Sequence, residues 1–204
     1  MRCFGLTPDD VLARTSAATI KPAPTLAHSI AHGALSFGLV SVVAYSIWAY
    51  KLIPGQGPMF ASIAVVYVGL TGLALSRLVL GAGAVGRFAL LLAAAFAAYA
   101  VVWCAFWFGL NGKLHADFYG AALGLAVMTA MLRRAFGQGG NFLPMYGVLF
   151  TLYQLGYFLG DELHVLFPGA PGRLLWGAAH GLGFGAGLGY VLFQAQAPLR
   201  QRWR

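Results

Sequence analysis

The sequence predicts an all-α, polytopic membrane protein: a bundle of six transmembrane helices with both termini cytoplasmic. Three observations predict it. Of the 204 residues, 60% are hydrophobic, and the mean hydropathy is +0.76. Only 9% are charged, against roughly 25% in an ordinary soluble domain. The charges are also confined to short stretches: Asp, Glu, Lys and Arg are absent from 22–50, 52–76, 88–112, 135–160 and 174–199, and a shorter gap runs 118–132. A soluble fold of this size cannot bury that much apolar surface, and a disordered chain needs the opposite composition.

The elements follow in order. Thr7-Pro8-Asp9-Asp10 sets a capping side chain, a proline and an acid where a helix start wants them, predicting a short interfacial helix that ends before Pro22-Ala23-Pro24. The apolar run from Leu26 to Ile53 is too long for the core of a signal peptide and reads as a retained first span. A span needs about 20 apolar residues, and the gaps place helices at 29–52, 58–80, 87–110, 116–134, 142–161 and 173–194. The runs are continuously apolar, without the two-residue alternation of a membrane strand. Glycine and proline punctuate the connections at Pro54–Pro58, Gly137–Asn141 and Pro168–Gly172. The chain thus divides into an N-terminal segment (1–25), a transmembrane domain (26–197) and a basic tail (198–204).

The formal charge of +8 reads as membrane topology rather than as a nucleic-acid surface. Six spans put both termini on one side, which collects Arg2, Arg14, Lys21, Arg77, Arg87, Arg133, Arg134, Arg200, Arg202 and Arg204. The other side holds Lys51, Lys113 and Arg173. This bias places the ends in the cytoplasm and the chain in the inner (plasma) membrane. Cys3 and Cys104 form neither a disulfide framework nor a metal motif.

In the last span Gly177, Gly181, Gly185 and Gly189 recur every fourth residue, and Gly183 and Gly187 widen the ridge. Such ridges let helix backbones approach closely, with Gly156/Gly160 and Gly120/Gly124 as expected partners. The other candidate feature is a set of ionisable side chains at the outer face: His115, Asp117, Asp161, Glu162, His164 and His180. Gln154, Tyr157, Asp161 and His164 share one helical face, and His180 lies about two turns inside the membrane, a depth that makes a titratable group a functional-site candidate, with an interhelical hydrogen bond as the structural alternative. Three chemistries are open. A divalent metal such as zinc could be held by His115, His164, His180 and Asp161, with Glu162 or Asp117 as general base. His180 and Asp161 could act as a metal-free acid–base pair, or the stripe could relay protons. A second pair, His28 and His32, sits one turn apart near the cytoplasmic interface.

The segment His180-Gly181-Leu182-Gly183-Phe184-Gly185-Ala186-Gly187 is similar to the HxxGxxxG pattern in the last core helix of rhomboid intramembrane proteases, a family that also has six spans and internal termini. The family's GxSG nucleophile motif is absent: helix four reads Tyr119-Gly120-Ala121-Ala122-Leu123-Gly124, with no serine. No family is assigned. The functional expectation is a membrane-embedded hydrolase acting on a lipid or lipid-linked substrate. The alternatives are an accessory subunit packed against other membrane subunits and a small proton or solute transporter. Membrane lipids are the expected partners, and nucleic acid is not.

Overall fold

The structure is a computed structural model that describes residues 4–15 and 23–203. Arg2, Cys3, Lys21, Pro22 and Arg204 therefore lie outside the described residues. All regular structure within them is helical: α1 (Pro8–Arg14), α2 (Leu26–Ala49), α3 (Gln56–Leu75, continued by a 3-10 turn at Ser76–Leu78), α4 (Ala84–Gly109), α5 (Ala116–Ala135), α6 (Phe142–Leu166), α7 (Ala170–Ala195) and α8 (Ala197–Arg202). Local chemistry sets the starts. The Thr7 and Thr25 side chains accept from the backbone N–H groups of Asp10 (3.4 Å) and His28 (3.2 Å). Glycines with positive φ at 55, 83 and 169 turn the chain into α3, α4 and α7.

Four helices are long and apolar enough to cross a membrane, α2, α3 with its 3-10 turn, α4 and α6, and they mark the chain as a membrane protein. α5 and α7 are as long but less apolar. Asp117, Arg133 and Arg134 occupy the ends of α5, and α7 carries Arg173, His180 and a run of glycines.

The six long helices form a ring in which each packs on its chain neighbours and α7 closes against α2. The α2–α7 and α6–α7 contacts are the most extensive. The reason lies in α7, which has a glycine face on either side. Gly177, Gly181, Gly185 and Gly189 lie against α2, where an added Cβ at Gly177 would stand 2.8 Å from Tyr45 Cβ and one at Gly185 would stand 2.6 Å from Phe37 Cβ. Gly183 and Gly187 lie against Gly156 and Leu149 of α6. Gly120 and Gly124 do not join this ridge; they face Trp103 and Tyr99 of α4. Four-residue spacing marks a smooth face but does not name the helix that covers it.

α1 and α8 sit at one end of the bundle, here the terminal end. Asp9 of α1 pairs with Arg202 of α8 at 2.5 Å, and Val11, Leu80 and Leu199 form a small buried cluster. The Gln196 side chain accepts from Leu80 N–H (2.8 Å) and donates to Leu78 and Leu192 carbonyls (3.0 Å each), binding the α3–α4 connection to α7. The α5–α6 connection packs there too, with Gly137 against Pro8 and Gly140 against Gln194. The connections α2–α3, α4–α5 and α6–α7 lie at the opposite, far end.

Candidate functional site

The far half of the ring encloses a cavity of about 760 Å³, within the roughly 300–1,000 Å³ of ligand sites. Helical spacing builds its walls. Trp176, His180 and Phe184 repeat every fourth residue on α7, forming the face between its two glycine faces. Tyr99, Trp103 and Trp107 do the same on α4, and Tyr153 and Tyr157 on α6. Tyr45 and Trp48 of α2 and the 56–68 stretch of α3 complete the lining. No Asp, Glu, Lys or Arg is among the described residues that line it.

His180 sits in the wall, inside a cage of rings. Its ring centroid is 4.9 Å from Tyr153 (edge-on), 5.8 Å from Phe184, 6.2 Å from Tyr157 and 6.3 Å from Trp176. Both ring nitrogens are covered and have no hydrogen-bond partner. A buried polar group left so costs about 1–3 kcal/mol, which makes this imidazole the exceptional group of the cavity. The tyrosine hydroxyls nearby are paired. Tyr99 and Tyr153 share a hydrogen bond of 2.7 Å. Ser41 donates to the Gly177 carbonyl (2.6 Å), so the 2.5 Å bond between Ser41 and Tyr67 has Tyr67 as donor.

Of the residues lining the cavity, Ala64 of α3 and Ala97 and Ala100 of α4 are also exposed on the outside of the bundle. These helices touch where Gly72 faces Ala89. Farther toward the far end both line the cavity, where Ile63, Ala64 and Val68 of α3 and Ala97 and Ala100 of α4 alternate with the rings of Phe60, Tyr67 and Trp103.

The other expected site residues are spread around this cavity rather than gathered in it. Asp117 is half-buried in the first turn of α5, within electrostatic reach of the Tyr157 and Tyr153 hydroxyls. Asp161 and Glu162 are exposed near the far end of α6. His115 is exposed, with positive φ, just before α5. His164 is half-buried against the Trp48 ring at 5.4 Å, its Nδ1 without a partner. Trp48 and Trp176, 5.8 Å apart, stand between His164 and His180 in the chain of ring contacts. Among the described residues, no three His, Cys, Asp or Glu side chains could hold a metal ion, so His115, His164, His180 and Asp161 do not form a ligand set. The His180–Asp161 pairing is not formed either. His180 lies about 15 Å into α7 at 1.5 Å per residue, behind rings, whereas Asp161 has emerged past Tyr157 to the exposed rim. Gln154 is buried with its Nε2 unpartnered.

His28 and His32 stack at 5.8 Å at the terminal end, where His32 Nε2 meets the Ala74 carbonyl at 3.0 Å. Cys104 is a free thiol in α4. The aromatic wall is the feature that the charge-centred reading missed. Its signal was the four-residue spacing of Tyr99-Trp103-Trp107 and Trp176-His180-Phe184.

Comparison with protein-family models, with curated proteins and with solved structures found no match to this chain.

Proposed function

We propose that this protein spans the inner membrane six times, with both termini in the cytoplasm, and takes a lipid or lipid-linked molecule from the bilayer into its helical bundle. The basic residues support the orientation: Arg14, Arg77, Arg87, Arg133, Arg134, Arg200 and Arg202 belong to the terminal end, against Lys51, Lys113 and Arg173 at the far end. The glycine faces of α7 serve packing, letting α2 and α6 approach closely enough to carry the rings inward. The observation that carries the binding role is the aromatic cavity with an unpartnered histidine in its wall, lined on α3 and α4 by exposed small residues through which we place the entry from the bilayer. An apolar molecule enters such a space without crossing water.

Tryptophan fluorescence tests this directly, because Trp48, Trp103, Trp107 and Trp176 line the cavity. A brominated fatty alcohol titrated into the protein in lipid nanodiscs will quench that emission saturably. Ala97→Phe, which fills that entry from the α4 side, will abolish the saturable part. Equal, non-saturating quenching in both proteins would refute the binding role.

A second reading makes the site hydrolytic, with His180 as general base toward a water attacking a lipid-linked ester or amide. The free ring nitrogens favour it, since a base needs an unoccupied lone pair. His180→Ala would then abolish turnover while leaving the fold intact.

A further inference from the structure

Resting on the reading of this cavity as a site open to the bilayer, we infer that its occupant is a neutral, planar ring bearing carbonyl or hydroxyl oxygens and an aliphatic tail: the quinone and quinol class of lipid. The juxtaposition that points to it is a gradient in the lining. The α6 and α7 wall is made of rings, with Tyr153, Tyr157, Trp176 and Phe184 around His180, while the α3 and α4 wall adds the aliphatic surface of Ile63, Ala64, Val68, Ala97 and Ala100 among its rings. Flat rings gain from stacked and edge-on neighbours beyond the area they bury. A saturated chain gains nothing further from them and is served as well by the aliphatic surface. A head that is a ring, followed by a tail leading out between α3 and α4, matches both regions.

The polar groups narrow the head further. No charged side chain lines the cavity among the described residues; Asp117 acts only through Tyr157 and Tyr153, and Arg173 stacks on Trp48, so a phosphate, carboxylate or ammonium head would find no direct ion-pair partner in the lining. His180 offers one N–H donor and one ring-nitrogen acceptor, neither of them used. The Tyr99–Tyr153 bond consumes one hydroxyl hydrogen and leaves the other for a ligand oxygen. A carbonyl meets the His180 N–H and a hydroxyl meets the other nitrogen, so the oxidised and reduced forms of such a ring are both accommodated. The nitrogens lie behind rings, among them the half-buried Tyr157, 6.2 Å from the imidazole.

The test is thermal stabilisation of the full-length protein in detergent by three probes sharing a decyl tail: a decyl-substituted benzoquinone, decylbenzene and decanol. The quinone is expected to raise the unfolding temperature saturably. Decylbenzene, which keeps ring and tail but lacks oxygens, should bind about tenfold more weakly, the ratio set by one hydrogen bond to a buried, otherwise unpartnered group. Decanol should be weaker than the quinone as well. His180→Phe should bring the quinone down to the affinity of decylbenzene, and His180→Gln, which retains a donor and an acceptor, should restore most of the difference. Equal affinity for all three probes would overturn the quinone assignment and leave the lipid cavity standing. Saturable binding of none of them would overturn both.

Discussion

Gly185 gives the sharpest test of how this bundle is held together. A Cβ placed there stands 2.6 Å from Phe37 Cβ, with the Gly33 carbonyl oxygen closer still. Neither obstacle is the loose end of a side chain, so Gly185→Ala must push α7 away from α2 along the most extensive contact of the fold. Gly147, in α6, supplies the reference, because a Cβ there meets nothing within 4 Å. Replacing a helical glycine by alanine is worth about 1 kcal/mol through backbone propensity at either position. The difference between the two variants therefore isolates the collision, which should cost about 1–3 kcal/mol, as overpacking in other tightly packed interiors does. At roughly 2–4 °C per kcal/mol for a chain of this size, Gly185→Ala should unfold roughly 2–12 °C below Gly147→Ala. Thermal unfolding in one detergent, followed by circular dichroism, reads the gap. Coincident unfolding curves would show that α7 and α2 are not in backbone contact, and the aromatic face between the glycine faces would lose its support.

Two further predictions concern the terminal end and the topology. Gln196→Ala removes three hydrogen bonds at a site only 2% exposed. It leaves the Leu80 N–H and Leu78 carbonyl buried without partners at about 1–3 kcal/mol each, so a clear fall in unfolding temperature is expected. Arg202→Ala breaks an ion pair whose side chains are 51% and 79% exposed and should change stability by less than about 1 kcal/mol; a larger loss than that of Gln196→Ala would reverse this ranking of contacts. For topology, single cysteines at Lys113 and Gln201, in a background with Cys3 and Cys104 replaced by serine, should react oppositely with a membrane-impermeant maleimide added to intact cells. Lys113→Cys should label and Gln201→Cys should not; labelling of both would contradict an arrangement with internal termini.

The helices were legible because charge is expensive in lipid, so apolar runs between charges are runs of helix. α5 begins at Ala116 as expected and ends one residue beyond the predicted 134. α6 continues to Leu166, past the expected stop at 161: Asp161 and Glu162 are exposed and leave the backbone hydrogen bonds undisturbed. The depth of His180 was readable for the same reason, since depth is position along a helix. Its partners were not. Sequence order fixes height in the bundle but not which faces meet, so it could not show that His180 would be enclosed by the rings of Tyr153, Tyr157 and Trp176 while Asp161 stays exposed. Gly120 and Gly124 likewise turn to α4 rather than α7. The ring spacing on α4 and α7 was present throughout, but in a chain that is 14% aromatic such spacing becomes distinctive only once the helices are seen to converge.

The proposed occupant of the cavity beside His180 is a lipid-like molecule that enters between α3 and α4. Native mass spectrometry of the detergent-solubilised protein, after incubation with a total membrane lipid extract, measures this without naming the ligand in advance. One non-covalent adduct is expected on the wild-type chain, and none on Ala97→Phe. An adduct retained equally by Ala97→Phe, or bare protein in both spectra, would contradict that proposal.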